Sequence, residues 1–218
     1  AEDKPRFGGS LLTSDVNIGN QTGVEWTEKI IAELKSMPNV TVKNRSQVFG
    51  YYDHNMLVMS ERISDHLPKT QKYLPKQRLW YIRANEVLIS SGSIERPLVF
   101  GNNDTPGVML SSAAKEYMKV YGVLVGKKPL IFTNNDSGYE TAIEFKKNGV
   151  NPIILDTRSN PSSDIITEAK NLNIEIKFSY VVVAAKGYKK VKSADIAKIS
   201  DDKKELFNIE NIKCDCIC

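Results

Sequence analysis

Two loops of this chain carry residue types that suit a dinucleotide, and the first lies at the amino terminus. There Glu2 and Asp3 precede the adjacent pair Gly8–Gly9. A carboxylate at the end of a parallel strand accepts hydrogen bonds from ribose hydroxyls, and glycine lets the backbone pass close to a ligand. Lys4 and Arg6 have charges that suit a pyrophosphate. The same residues also fit a charged terminus followed by a glycine turn, and spacing alone leaves both interpretations open.

The second loop, TNNDSG at 133–138, follows the apolar run 129–132 and precedes an amphipathic segment. This is the layout of a dinucleotide-binding βαβ unit, in which a GxGxxG loop holds the pyrophosphate. Thr133 and Asn135 occupy the first two glycine positions, and Gly138 alone matches. Their side chains stand where phosphate must approach, so we predict a dinucleotide fold without its dinucleotide. Asp156 would be its ribose acid, left without a partner.

The remaining candidate residues for chemistry are cysteines and histidines. Cys214, Cys216 and Cys218 alternate along the last stretch, and at strand spacing they would point to one face. Three thiols in this spacing make a poor tetrahedral metal clip, so we predict a core strand and no metal site. His54 and His66 lie apart in polar segments. The residues therefore predict no catalytic constellation.

Composition excludes several classes of function. The 218 residues are 41% hydrophobic and 26% charged, with a net charge of +4, which is typical of a globular protein. One basic run, 67–83, is too little to predict nucleic-acid binding. No apolar run approaches the length of a membrane span. Because the three cysteines are clustered rather than spread in pairs, we expect a cytoplasmic protein.

Helical and strand patterns alternate along the chain and predict the fold class. Residues 24–38 are predicted to form an amphipathic helix with Thr22 and Glu25 as a capping box, and 46–63 to form a hairpin. Further strands are predicted at 39–44, 78–84 and 86–93. We predict an α/β protein of two three-layer, Rossmann-type dinucleotide-binding-like domains, 1–103 and 104–218, with antiparallel additions. The first domain is expected to be incomplete, because the chain begins abruptly and stops inside an apolar stretch.

Several long motifs resemble one family. The stretches GGSLL (8–12), GYYDHN (50–55), ERPLVFGNNDTPGVML (95–110), FTNNDSGY (132–139) and CDCIC (214–218) are similar, in the same order, to the α subunit of heterotetrameric sarcosine oxidase. The resemblance spans nearly the whole chain. It implies an interior segment of a larger subunit, in a region resembling thioredoxin-reductase-like flavoproteins, that binds NAD.

The resemblance also implies residues and partners. It assigns adenosine contacts to Glu2, Asp3 and Lys4, to Ser10 after the double glycine, and to Val48 through its backbone. In this chain the side chains of the run Glu2, Asp3 and Lys4 differ in length from those at the same positions in other family members. FAD and FMN would be held elsewhere in a complex with other subunits, and tetrahydrofolate would bind outside this segment. The complex would oxidise sarcosine to glycine with O2, whereas this segment alone would be inactive.

Two other functions remain open at this point. The chain could serve a related FAD- or NAD-dependent amine or opine oxidase or dehydrogenase, which would require nucleotide binding at the Asn134–Asn135 loop. It could also be a module that only docks against other subunits, and apolar faces left open by missing strands could make it dimerise.

Overall fold

A computed structural model describes residues 1–69 and 72–218, which form two compact units, Ala1–Gly92 and Ser93–Cys218. The division into domains 1–103 and 104–218 stays a prediction.

The first unit combines one helix with small antiparallel sheets. Its elements are a 3-10 turn at Gly9–Leu12, β1 (Asn17–Ile18), β2 (Gln21–Thr22), α1 (Gly23–Ser36), β3 (Ser46–Tyr52), β4 (Met56–Arg62) and β5 (Gln77–Arg83). The strands β1 and β2 pair with each other, and β3, β4 and β5 form an antiparallel sheet in that order. β3 is therefore an edge strand.

The start of α1 follows the sequence closely. The Thr22 hydroxyl accepts a hydrogen bond from the Glu25 backbone at 3.3 Å, and the Glu25 carboxylate accepts one from the Thr22 backbone at 2.8 Å. This reciprocal pair satisfies amides that have no partner inside the helix. The predicted capping box is confirmed.

The second unit has three layers. Its elements are α2 (Ser111–Tyr121), β6 (Pro129–Thr133), α3 (Ser137–Lys147), β7 (Ile153–Asp156), α4 (Asp164–Asn171), β8 (Glu175–Phe178), β9 (Tyr180–Gly187), β10 (Val191–Ile199), β11 (Leu206–Ile212) and β12 (Cys216–Ile217). A parallel sheet has the order β12-β6-β7-β8, and an antiparallel sheet has the order β11-β10-β9.

Alternation along the parallel strands builds a core on each side of the sheet. Ile131 and Ile154 pack with the helices, whereas their neighbours Leu130 and Leu155 pack with the antiparallel sheet. Successive strand residues point to opposite faces, so one buried parallel sheet separates the two layers. The α/β, Rossmann-like class predicted from the sequence is confirmed.

Two strands predicted from the sequence do not form. Residues 39–44 and 86–93 have no strand geometry, although both contain apolar residues. Leu88 is 91% exposed and Ile89 is 69% exposed. A β-strand is stabilised by hydrogen bonds to a neighbouring strand, and neither segment is paired with a strand among the described residues.

The long apolar run at 174–187 is one strand by pattern but two in the structure. Ser179 separates β8 from β9 with φ at 58°, a left-handed conformation that interrupts extended backbone. β8 then joins the parallel sheet and β9 the antiparallel one. The interruption moves the chain from one layer to the next.

Candidate nucleotide sites

The predicted acidic run of the first unit lies beside the segment of the chain that leads into β3. The Glu2 amide donates to the Lys43 carbonyl at 2.9 Å, and the Ser46 amide donates to the Glu2 carbonyl at 2.8 Å. A further bond joins the Arg45 amide to the Lys4 carbonyl at 3.0 Å. These backbone bonds fix the run beside the start of β3, two residues before Val48.

The carboxylates and cations of this run differ in their surroundings. Glu2 is half-buried, and its carboxylate accepts a hydrogen bond from the Lys4 amide at 3.0 Å. The Asp3 side chain is exposed. Arg6 forms an ion pair with Glu28 at 3.6 Å between two well-exposed side chains. Such a pair contributes little to stability, so the Arg6 guanidinium can leave Glu28 for another anionic partner.

Glycine is required at the turn before Ser10. Gly8 has φ at 126°, and Gly9 has φ at 51°. A Cβ at Gly8 would also lie 3.1 Å from the Leu12 side chain. The turn leaves Ser10 exposed at the start of the 3-10 turn.

A groove of about 340 Å³ lies beside this turn, between the amino-terminal segment and α1. Phe7, Leu12, Val24 and Ile31 give it an apolar lining. Val48 is on β3, with 44% of its side chain exposed, and it is not among the lining residues. The acidic run thus lies beside the start of β3, and neither the run nor Val48 lines the groove.

The TNNDSG loop of the second unit is filled by its own side chains. The Asn135 carboxamide oxygen accepts hydrogen bonds from the Ser137 amide at 2.9 Å and the Ser137 hydroxyl at 2.6 Å. The Thr133 hydroxyl donates to the Asn135 carbonyl at 2.8 Å. An amide at the first turn of a helix is what a bound phosphate would use. In this chain the Asn135 side chain takes that donor.

Gly138 has the packing role expected of the third glycine. A Cβ added there would lie 2.7 Å from the Thr133 Cβ, which is too close for any side chain. The loop thus keeps the close approach of α3 to β6 that the fold needs. The loop therefore keeps the close packing of the fold at Gly138, while its Ser137 amide is not free to bind a phosphate.

Asp156 is not the unpartnered acid that the sequence predicted. Its side chain is fully buried and accepts hydrogen bonds from the Tyr139 hydroxyl at 2.8 Å and the Arg158 amide at 2.9 Å. The Arg158 guanidinium adds bonds at 3.0 and 2.8 Å, and the same group pairs with Asp136 at 2.8 Å. Both carboxylate oxygens are occupied from within the chain.

The electrostatics of this cluster stabilise its charged pairs. Hydrogen bonding to Asp156 raises the pKa of Arg158, so the guanidinium stays charged. The adjacent Arg158 guanidinium lowers the pKa of Asp136. Burial, followed by the Asp156 hydrogen bond, raises the pKa of Tyr139, so the phenol remains a donor. Sequence reasoning gave no role to Tyr139 or Arg158, because their bonds to Asp156 depend on the tertiary structure.

The three cysteines do not share one face. Cys214 packs with the antiparallel sheet, whereas Cys216 and Cys218 pack on the helix side, because β12 begins only at Cys216. Burial raises the pKa of Cys214 to about 12. The Cys216 and Cys218 sulfurs are 3.3 Å apart, without a disulfide. Within residues 1–69 and 72–218, no cluster of three or more potential ligands could hold a metal.

None of the helices in the described ranges is both long enough and apolar enough to cross a membrane. No protein-family model matches the chain.

Comparison with known proteins shows strong similarity to one kind of subunit. The chain is 38% identical over 190 residues to the sarcosine oxidase subunit alpha of Rhizobium meliloti (strain 1021), which covers 87% of this chain and 19% of that protein. It is 30% identical over 218 residues to the subunit of the same name from Corynebacterium sp. (strain P-1), covering 98% of this chain and 22% of that protein.

A solved structure supports the fold independently. The crystal structure of T. acidophilum thioredoxin reductase matches 96% of this chain and 64% of its own chain, with a TM-score of 0.66 and 14% identity. The match shows a shared fold. The chain spans about a fifth of the length of the curated relatives it matches, and it is homologous to one segment of the sarcosine oxidase α subunits.

Proposed function

We propose that this chain is the NAD-binding segment of the α subunit of a sarcosine oxidase. The complete enzyme would convert sarcosine, O2 and water into glycine, formaldehyde and H2O2, or would pass the one-carbon unit to tetrahydrofolate. The similarity to two sarcosine oxidase α subunits supports the assignment. The segment would hold a cofactor and help assembly, and bond-making would take place elsewhere in the complex.

The observation that carries this role is the closed loop of the second unit. Two features oppose a pyridine nucleotide there: Asn135 takes the Ser137 amide at the start of α3, and Asp156 is saturated by Tyr139 and Arg158. A reductase that shuttles hydride needs an open nucleotide site facing its flavin. A closed site with an intact fold favours a supporting role over turnover.

The first unit is the proposed NAD site. Glu2, Asp3 and Lys4 would contact the adenosine ribose, with Ser10 close by. Val48 would read the adenine edge through its backbone, because β3 is an edge strand and one side of it is open. The proposed domains remain 1–103 for NAD and 104–218 for the closed fold. FAD and FMN would be bound outside this segment, in a complex with other subunits.

We place the protein in the cytoplasm. The clustering of the three cysteines in the sequence, rather than a spread in pairs, supports this proposed location. Tetrahydrofolate would meet the enzyme only through a region other than this chain.

Cofactor retention tests the proposed site. The chain, purified with whatever subunits accompany it, would be denatured and its released nucleotide identified by mass spectrometry. We expect NAD, and we expect Asp3→Ala to lower the affinity for NAD roughly 10- to 100-fold, as for a lost charge-assisted hydrogen bond. The matched control is Asp53→Ala, which removes an exposed acid in the β3–β4 turn. Equal NAD retention by both variants would refute the proposed NAD site.

A titration tests the closed loop separately. Wild-type chain should show no saturable binding of NADPH at residues 133–138, and Asn135→Gly should free the Ser137 amide for a phosphate. Saturable NADPH binding by the wild type, with protection of this loop in hydrogen exchange, would contradict the supporting role. It would favour the alternative of a nucleotide-dependent amine or opine oxidoreductase.

A further inference from the structure

A pocket of about 160 Å³ lies at one end of the second unit, where the parallel sheet meets the antiparallel sheet. Its apolar lining comes from the first residues of β6 and β7, from the end of β11 and from the cysteine that follows: Pro129, Leu130, Ile153, Ile212 and Cys214. The loop 133–138 lies at the opposite end of β6. The pocket is therefore separate from the closed nucleotide site of this unit.

Two lysines give this pocket its charge. Lys128 precedes β6 and Lys213 follows β11, and both line the pocket with exposed side chains. Neither ammonium group has an ion-pair partner within residues 1–69 and 72–218. Cations of one sign around a concave surface attract an anionic ligand, and these two are not already bound to an acid of the described chain.

Asn151 also lines the pocket and adds a hydrogen-bond donor. Its carboxamide oxygen accepts a hydrogen bond from the Lys146 ammonium at 2.6 Å. Because a lysine ammonium can only donate, the oxygen of Asn151 faces Lys146. The amide nitrogen of Asn151 has no partner in the part of the chain that the structure describes. The lining thus offers ammonium and amide donors, and a third cation lies beside it.

The described residues that line the pocket include no acidic side chain. Burial raises the pKa of Cys214 to about 12, so its thiol stays neutral. The neighbouring Asp215 carboxylate accepts hydrogen bonds from the backbone amides of Lys127 at 2.9 Å and Lys128 at 2.7 Å, and these amides partly offset its charge. The fully buried Leu130 keeps one wall of the pocket apolar, which strengthens electrostatic attraction.

We propose that this pocket binds a phosphate-type oxyanion, either free phosphate or the phosphoryl group of a small molecule. A phosphate dianion matches Lys128 and Lys213 in charge, and its oxygens accept hydrogen bonds from ammonium and amide groups.

The size of the pocket limits the ligand. A water molecule takes about 30 Å³ in the liquid, so a pocket of about 160 Å³ has room for a phosphorus atom and its oxygens but not for a whole nucleotide. Both lysines are exposed, so we expect weak binding that weakens further as salt is added. The proposal is independent of the proposed NAD function.

A phosphate titration followed by phosphorus NMR provides the test. The purified 218-residue chain should broaden or shift the phosphate resonance saturably at millimolar concentrations. Lys128→Gln and Lys213→Gln should each lower the affinity on the order of tenfold, as for one lost charge-assisted hydrogen bond, and the double variant should abolish saturable binding. The matched control, Lys198→Gln, removes an exposed lysine of β10 that does not line the pocket and should leave the affinity unchanged.

Further measurements separate folding, salt effects and the source of the ligand. Far-UV circular dichroism should be the same for all variants, since the substituted side chains are exposed. Phosphate should raise the Tm more than potassium chloride of the same ionic strength. Glycerol phosphate that binds as tightly as phosphate would identify the phosphoryl group of a small molecule as the ligand, whereas binding of phosphate alone would identify the free ion. Phosphate that stabilises the chain no more than chloride, or saturable binding that survives in the double variant, would overturn the proposal.

Discussion

Replacing Arg158 by methionine should destabilise the second unit strongly. Asp156 is fully buried, and the guanidinium supplies two of its side-chain hydrogen bonds, at 3.0 and 2.8 Å. After Arg158→Met, Tyr139 and the backbone amide of residue 158 would be its remaining donors. The carboxylate would then be buried without an opposite charge.

The size of the effect follows from burial. Removing one partner of a buried ion pair costs about 3–5 kcal/mol. The side chain of Arg158 is 30% exposed, so water can reach the carboxylate in its absence and the low end applies. We expect a loss of about 3 kcal/mol in the free energy of unfolding. For a chain of this size, that corresponds to a fall in Tm of roughly 6–12 °C.

A second substitution separates charge from packing. Asp156→Asn keeps the shape and removes the charge, so in the double variant no carboxylate is left unpaired. The Arg158→Met/Asp156→Asn variant should be about 2 kcal/mol more stable than Arg158→Met alone. If the two effects were simply additive, the second substitution would lower the stability further.

Circular dichroism is the appropriate assay, because α2, α3 and α4 all belong to the second unit. The two tryptophans, Trp26 and Trp80, both lie in the first unit, so fluorescence would not report on this cluster directly. If Arg158→Met costs less than about 1 kcal/mol and the double variant is no more stable, the cluster is not an interdependent ion pair. The explanation of the closed site would then be wrong.

Two further predictions concern packing and pH. Gly138→Ala should cost about 1–3 kcal/mol, because its Cβ would lie 2.7 Å from the Thr133 Cβ; thermal unfolding checks this, and an unchanged Tm would contradict the packing role. In the first unit, a hydrogen bond from Lys43, with a second from Trp80, lowers the pKa of Glu61. Its stabilisation should be complete above the ordinary carboxyl pKa of about 4.3 and disappear as the pH falls through the lowered value. An acid titration of Trp80 fluorescence should lose this step in Glu61→Gln, and the same step in both proteins would refute it.

Local patterns in the sequence were sufficient for the elements that depend on neighbours in the chain. The capping box of Thr22 and Glu25 forms as predicted, because its hydrogen bonds span only a few residues. The alternation of apolar strands with amphipathic helices gave the α/β class for the same reason. The adenosine contacts assigned to the first unit stay a prediction.

The tertiary structure decided which of the predicted segments and side chains have a neighbouring strand or side chain to bond with. Residues 86–93 have the composition of a strand, yet the described chain offers them no strand to pair with. Asp156 had the position of a ribose acid, and its burial against Tyr139 and Arg158 depends on contacts between α3 and the end of β7. Sequence determines what each segment can form, because propensity is local. Whether a hydrogen-bonding group is open to a ligand depends on whether a side chain distant in the sequence already bonds to it in the folded chain.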